Sequence, residues 1–250
     1  MIEARSLSKR YGDVKAVDAV TFSIAKGEVV GFLGPNGAGK TTTMRMLTGF
    51  LPPTDGTAVI AGHDIFDDSL AARRSIGYLP ETLPLYPEMT VTSYLAYVAR
   101  IKDVPRKRRR DAIQRAIERC GLKGMNRRVI GTLSKGFRQR VGLAQAIVHE
   151  PPVLILDEPT VGLDPLQIRE IRALIAELAA PAQGEQQHTV ILSTHILAEV
   201  EAICRRVILI SNGRKVVDAP LSELTQGGRS LDELFARKTA RDVDEAMVAI

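Results

Sequence analysis

The chain has no tryptophan, only 4% aromatic residues, two cysteines and no long apolar run. So few aromatic side chains leave little with which to stack nucleic-acid bases. No run approaches the roughly 18 apolar residues of a membrane span, and the charged first eleven residues lack the apolar segment of a secretory signal. Cys120 and Cys204 form neither a disulfide framework nor a closely spaced ligand pair, so each is predicted to be a small core residue. These absences indicate a cytosolic protein.

The charge of the chain is unevenly distributed. Residues 100–140 carry 15 Lys and Arg against three acidic residues, a local net charge of +12, whereas the remainder has 19 basic and 26 acidic residues. The segment includes the uninterrupted basic run 106–110. Such a run is typical of a solvated helix face, but it also fits a patch that faces a phospholipid leaflet or nucleic acid. Charge alone does not distinguish these interpretations.

Short apolar runs alternate with helical patterns such as 167–180, which favours an α/β fold with a mostly parallel sheet. The runs typical of buried strands are 28–33, 153–156, 189–192 and 207–210. Three antiparallel strands are expected before them, over 2–7, 14–16 and 19–24.

Strand signals vanish between residues 85 and 150, which predicts a helical subdomain inserted into the α/β core. Its helices are expected over 91–101, 106–119 and 135–149. Beyond the core, a strand is predicted over 215–218 and helices over 221–225 and 231–238. The last twelve residues are expected to form a frayed helix.

A glycine-rich motif lies between the strand 28–33 and a helical pattern over 40–48. Its sequence GPNGAGKT fits GxxxxGK(S/T), in which backbone N–H groups and the helix N-terminus surround phosphates. Lys40 is predicted to reach the β- and γ-phosphates, and the Thr41 hydroxyl is placed for Mg²⁺. The nucleotide-binding residues predicted here are Gly34, Asn36, Gly37, Ala38, Gly39, Lys40, Thr41 and Thr42.

Two carboxylates end the apolar strand 153–156, at the sheet edge where parallel strands deliver ligand-binding residues. Asp157 is predicted to hold Mg²⁺, and Glu158 to orient and polarise the attacking water. His195 ends the next buried strand on the same edge, where it is placed to sense a γ-phosphate. Lys40, Glu158 and His195 are therefore the predicted catalytic residues.

With these residues the chain resembles the nucleotide-binding subunit of ABC transporters over about residues 2–240. The sequence LSKGFRQR at 133–140 is similar to the LSGGQ signature of that family, LDEPT at 156–160 to its LDEPT block, and GLDP at 162–165 to its D-loop. The resemblance implies a P-loop NTPase core with ATP and Mg²⁺ as cofactors. It also implies that Tyr11 stacks on adenine and that Ser134 and Gly136 donate to a γ-phosphate.

The resemblance implies an ATPase domain over about 1–240. Its core covers about 1–84 and 151–220, its helical subdomain 85–150, and a C-terminal helical tail 221–250.

Two motifs depart from the family pattern. Lys135 and Phe137 stand where the signature has Gly and Gln, and Glu81 stands where a loop that reaches the Mg²⁺ or the attacking water has Gln. Glu81 is therefore included among the expected metal-site residues. Together with residues 85–91, these departures are similar to a branch of exporter ATPases that serves gliding motility, copper-site maturation and multidrug export.

The implied function is an ATP-hydrolysing motor subunit of a membrane exporter, peripheral on the cytoplasmic face of the membrane. Two copies are expected to meet head to tail as a homodimer. A separate transmembrane permease is the expected membrane partner, and an anionic lipid surface is a further candidate contact. The alternative is a soluble ABC ATPase that acts on nucleic acid or ribosomes through residues 100–140. A single cassette, few aromatics, and no zinc ligands or long coiled coil argue against it. A degenerate regulatory cassette conflicts with the presence of Lys40, Asp157, Glu158 and His195.

Overall fold

The structure is a computed structural model that describes residues 1–180, 187–226 and the single residues Leu231, Glu233 and Phe235. The strands are β1 (Ile2–Tyr11), β2 (Val14–Ile24), β3 (Val29–Leu33), β4 (Asp55–Ile60), β5 (His63–Asp64), β6 (Ile76–Leu79), β7 (Val153–Asp157), β8 (Thr189–Thr194), β9 (Arg206–Ser211) and β10 (Arg214–Pro220). The helices are α1 (Lys40–Leu47), α2 (Ser69–Arg74), α3 (Val91–Ile101), α4 (Arg109–Arg119), α5 (Lys135–Ile147), α6 (Pro165–Ala179), α7 (Leu197–Ile203) and α8 (Leu221–Leu224).

A six-stranded sheet in the order β10-β9-β3-β8-β7-β6 forms the centre of the fold, which confirms the predicted α/β class. All its neighbours are parallel except the hairpin β9–β10. Every residue of β3, β7 and β8 is buried, as expected of strands covered on both faces. The register pairs Leu33 with Thr194 and Asp157 with Ser193, so the ends of these three strands meet at one edge.

A four-stranded antiparallel sheet in the order β2-β1-β4-β5 packs beside the first. The antiparallel prediction is confirmed, but the expected strands 14–16 and 19–24 form the single strand β2, which continues through Ala19 at a φ of 50°. Strands β4, β5 and β6 and helices α2 and α7 were not predicted from the sequence. The polar start of β4 at Asp55 and Gly56 is typical of a turn, and only pairing with β1 makes β4 a strand.

The predicted helical insert between β6 and β7 is present as α3, α4 and α5, which pack against one another. Helix α3 has the predicted bounds and begins after Thr90, whose side chain accepts from the Ser93 N–H. Helix α4 begins at Arg109 rather than at residue 106, because a turn follows Pro105 and its carbonyl accepts from the Arg108 N–H.

The two cysteines are buried and unpaired within the described residues, as predicted. The expected helix 231–238 and the last twelve residues lie outside the description, apart from Leu231, Glu233 and Phe235. Among the described helices, none combines the length and the apolar character needed to cross a bilayer.

Candidate functional site

The glycine-rich loop joins β3 to α1 and lies close to the neighbouring backbone. Gly39 has a φ of 101°, and a Cβ added there would lie 2.5 Å from the Ala16 carbonyl oxygen of β2. A Cβ on Gly34 would collide with the Ile210 carbonyl of β9. Both positions therefore require glycine, because the loop turns where strands of the two sheets approach it.

A cavity of about 390 Å³ opens over this loop. The predicted residues that line it are Asn36, Gly37, Gly39, Lys40, Thr41, Thr42, Glu81, Glu158 and His195. Ala16 and Val161 complete the lining, and neither carries a local sequence signal that could have identified it. The structure thus brings together most of the residues predicted to act on a nucleotide.

Lys40 is buried and already held by the loop backbone. Its Nζ donates to the carbonyls of Gly34 at 2.9 Å and Pro35 at 3.1 Å, and lies 3.6 Å from Glu158 Oε1. An ammonium group fixed in this way is oriented into the cavity before any anion arrives. A phosphate would gain a charge-assisted hydrogen bond from a donor that needs little reordering.

Glu158 faces His195 at the edge of the sheet. The His195 Nδ1 lies 2.9 Å from Glu158 Oε1 and 3.0 Å from Oε2, and the Thr194 hydroxyl donates to Oε2 at 3.4 Å. The carboxylate is 7% exposed, so bulk water screens these contacts weakly. An acceptor held between a lysine and a histidine is suited to orient a water molecule and to take its proton.

Asp157 supplies the candidate metal-binding carboxylate. Its Oδ1 accepts from the Ser193 hydroxyl at 2.7 Å, while its fully buried Oδ2 has no hydrogen-bond partner in the described part of the chain. Burial raises the pKa of Asp157 above its usual value, and the nearby carboxylates of Glu158 and Glu81 raise it further, although the Ser193 and Thr41 hydroxyls oppose this. A buried oxygen without a partner beside the Thr41 hydroxyl is a donor set that fits Mg²⁺.

Glu81 lies between the loop cavity and a second cavity of about 350 Å³. This second cavity is also lined by Asp157, Tyr78, Lys102 and His149. Glu81 follows β6 and precedes the helical insert, so its side chain stands where the insert joins the sheet. Glu81 therefore connects the wall of the loop cavity to the segment that leads into the insert.

Ser134 and Gly136 lie elsewhere. They line a separate cavity of about 230 Å³ with Arg140 and Gln167, where the Ser134 side chain begins α5 by accepting from the Phe137 N–H at 3.4 Å. Within a single chain, the structure does not bring these two residues into the cavity over the glycine-rich loop.

Two further side chains lie outside the loop cavity. Lys135 extends to Gly162, where its Nζ occupies the space that a Cβ would take. Tyr11 is 50% exposed, and the Lys9 Nζ lies 5.6 Å from its ring centroid. The adenine contact of Tyr11 stays a prediction.

Known proteins with similar sequences are nucleotide-binding proteins, in agreement with the geometry of the loop cavity. The family model described as ABC transporter matches residues 17–161. The bacitracin transport ATP-binding protein BcrA of Bacillus licheniformis is 38% identical over 229 residues, which cover 92% of this chain and 72% of that protein.

Solved structures agree. One described as the ATP-binding subunit of an ABC transporter superposes with a TM-score of 0.84 at 32% identity, covering 96% of this chain and 99% of that chain. The dimeric, post-hydrolysis cassette MJ0796 bound to ADP and Pi superposes with a TM-score of 0.77 at 25% identity, covering 88% of this chain and 99% of that chain.

Proposed function

Because the chain belongs to the ABC transporter family as an ATP-binding subunit, we propose that it binds ATP over the glycine-rich loop and hydrolyses it to drive export through separate membrane subunits. The observation that carries this proposal is the meeting of Lys40, Glu158 and His195 in one cavity. The direction of transport is inferred from the exporter-like motifs and from the bacitracin transport relative.

The residues divide the chemistry among them. Lys40 binds the β- and γ-phosphates, and the loop N–H groups surround them. Glu158 accepts the proton of the attacking water, while His195 holds the Glu158 carboxylate and faces the γ-phosphate. Thr41 and Asp157 would hold Mg²⁺, which neutralises phosphate charge when bound. The products are ADP and inorganic phosphate.

The second half of the nucleotide site comes from another copy of this chain. The separate cavity of Ser134 and Gly136 supports this, because those N–H and hydroxyl donors lack access to the loop cavity within one chain. A head-to-tail pair would place the start of α5 of one copy against the phosphates held by the other. The cassette MJ0796, which is dimeric and bound to ADP and Pi, supports a dimer of this chain.

Mixing two inactive variants tests the arrangement. Lys40→Ala removes one half of each site and Gly136→Asp the other, so each variant alone is expected to be inactive. A mixed dimer keeps one intact site, and an equimolar mixture should regain about a quarter of the wild-type phosphate release. Activity that stays at the level of the separate variants would contradict a site shared between copies.

The helical insert is the proposed contact with the permease and the membrane. We assign this insert as a subdomain over about residues 85–150. The protein as a whole would lie at the cytoplasmic face of the membrane, as a peripheral subunit. Arg106, Lys107, Arg108 and Arg110 are exposed, whereas Arg109 is half-buried and donates to the Val104 carbonyl at 2.7 Å. Each exposed cation adds up to about 1 kcal/mol of attraction to an anionic leaflet.

Liposome co-sedimentation tests the lipid contact. Replacing Arg106, Lys107 and Arg108 by Gln should weaken binding to anionic vesicles, and binding should fall as salt rises. The matched control replaces Arg5, Arg10 and Lys26, three cations outside the insert, and should bind as wild type does. Equal binding to neutral and anionic vesicles would leave the run a solvated surface, and tighter binding to duplex DNA would favour the nucleic-acid alternative.

A further inference from the structure

Glu158 has an unusual backbone conformation. Its φ is 50°, in the left-handed region that costs a non-glycine residue about 1 kcal/mol or more. Its N–H donates to the Ser193 carbonyl at 2.8 Å, and its own carbonyl accepts from the Val161 N–H at 3.3 Å. The turn that follows Glu158 therefore determines where the carboxylate stands, and something must hold that turn.

A second carboxylate is buried behind this turn and takes no part in the chemistry described above. Glu199 of α7 is fully buried, and it accepts a hydrogen bond from the Thr160 hydroxyl. Arg172 of α6 approaches its Oε1 at 3.9 Å, which is a distant ion pair. Glu199 Oε2 and Arg172 Nε are buried without a hydrogen-bond partner in the described parts of the chain.

This arrangement is costly as a purely structural element. Taking a carboxylate out of water costs several kcal/mol, and an incomplete ion pair recovers only part of it. An apolar side chain of the same size would pack there without that penalty. The position of Glu199 in the sequence suggests what the group does instead, because it joins two segments that carry catalytic side chains.

We propose that Glu199 is a positioning residue for hydrolysis, acting on Glu158 through the Thr160 hydroxyl. Thr160 lies two residues after Glu158, and α7 begins two residues after His195. A single hydrogen bond between Thr160 and Glu199 thus ties the turn after Glu158 to the helix after His195. It keeps the two catalytic side chains in register, and the proposal rests on the ATP hydrolysis described under the proposed function.

Thr160→Val is the sharpest perturbation, because it keeps the shape of the side chain and removes the donor. The turn loses its tie, and a displacement of about 1 Å at Glu158 is enough to cost on the order of 10²-fold in rate. Lys40 and Thr41 stand on α1, which the change does not touch, so ATP binding should persist. We expect kcat of the full chain to fall about 10- to 100-fold, with KM for ATP within about twofold of wild type.

Two companion variants separate positioning from packing. Thr160→Ser restores the hydroxyl and should restore most of kcat. Thr160→Cys offers a weakly donating thiol, so its kcat should lie between those of the Val variant and wild type. The matched control is Glu201→Gln on the same helix, where the carboxylate is exposed and its loss should leave kcat unchanged.

The measurement is steady-state phosphate release by the full chain, with nucleotide affinity and thermal unfolding recorded for each variant. A Thr160→Val protein with wild-type kcat would overturn the proposal, as would a Ser variant as slow as the Val variant. Parallel loss of ATP affinity and kcat would also overturn it, because that marks a general loss of structure. Should the Val variant not fold, Thr160→Cys decides, since a wild-type kcat there overturns the proposal. A wild-type chain without ATPase activity would instead overturn the proposed function, and this inference with it.

Discussion

Replacing Glu158 by Gln separates nucleotide binding from hydrolysis. The substitution keeps the size of the side chain and an oxygen that can face His195, but it removes the negative charge and the proton acceptor. Since Glu158 is 7% exposed, no bulk water can substitute readily for the missing base. We expect phosphate release to slow by about 10²–10⁴-fold, or roughly 3–5 kcal/mol in the activation free energy.

ATP binding should survive the same change. The Lys40 Nζ lies 3.6 Å from Glu158 Oε1, a separation at which opposite charges attract by about 4–5 kcal/mol at an effective dielectric constant near 20. Removing that attraction leaves Lys40 freer to bind phosphate, and it also removes a carboxylate that would repel the γ-phosphate. The affinity for Mg-ATP should therefore equal or exceed that of wild type, and uncleaved ATP should accumulate within a dimer.

Phosphate release, equilibrium nucleotide binding and size-exclusion chromatography in Mg-ATP measure the three expectations. Glu177→Gln is the matched control, since that carboxylate is exposed on α6. A Glu158→Gln protein that releases phosphate at the wild-type rate would refute the assignment of the base. Loss of ATP affinity would refute the reasoning about Lys40.

Substitutions at three further residues test the rest of the site. Lys40→Ala should weaken ATP binding about 10- to 100-fold, the range for a lost charge-assisted hydrogen bond, measured by calorimetry. Burial raises the pKa of Asp157 above its ordinary value of 3.8. The free energy of unfolding therefore falls as the pH rises from 3.8 through the folded-state pKa, because the folded protein then has to hold a buried charge. Asp157→Asn should therefore raise the melting temperature of the nucleotide-free protein near pH 7.5, by less as the pH approaches 4, and abolish stabilisation by Mg²⁺ with ATP. In the complex with the copurified permease, Glu81→Ala should bind ATP normally yet lose most permease-stimulated hydrolysis, while Glu81→Gln should stay active. Equal stimulation of wild type and Glu81→Ala by the permease would contradict a role of Glu81 in coupling hydrolysis to the permease.

Those parts of the site that lie on a short stretch of chain were predictable from the sequence. The glycine-rich loop, the two carboxylates at the end of β7 and the histidine after β8 each follow an apolar run, and parallel strands deliver their ends to one edge. Helix α3 has the predicted bounds, since Thr90 caps it and its buried residues recur at helical spacing. In these segments the local pattern and the tertiary environment favour the same structure.

Contacts between distant residues were decided only by the tertiary structure. Strand β4 exists because β1 offers hydrogen bonds to a segment whose own composition is typical of a turn. Position 39 requires glycine because the carbonyl of Ala16, 23 residues earlier, leaves no room for a Cβ. Thr160 meets Glu199 across 39 residues. Strand register and close packing place such pairs together, and neither leaves a periodic pattern in the sequence. The sequence around Glu199 therefore gives no sign that this carboxylate contacts the turn after Glu158.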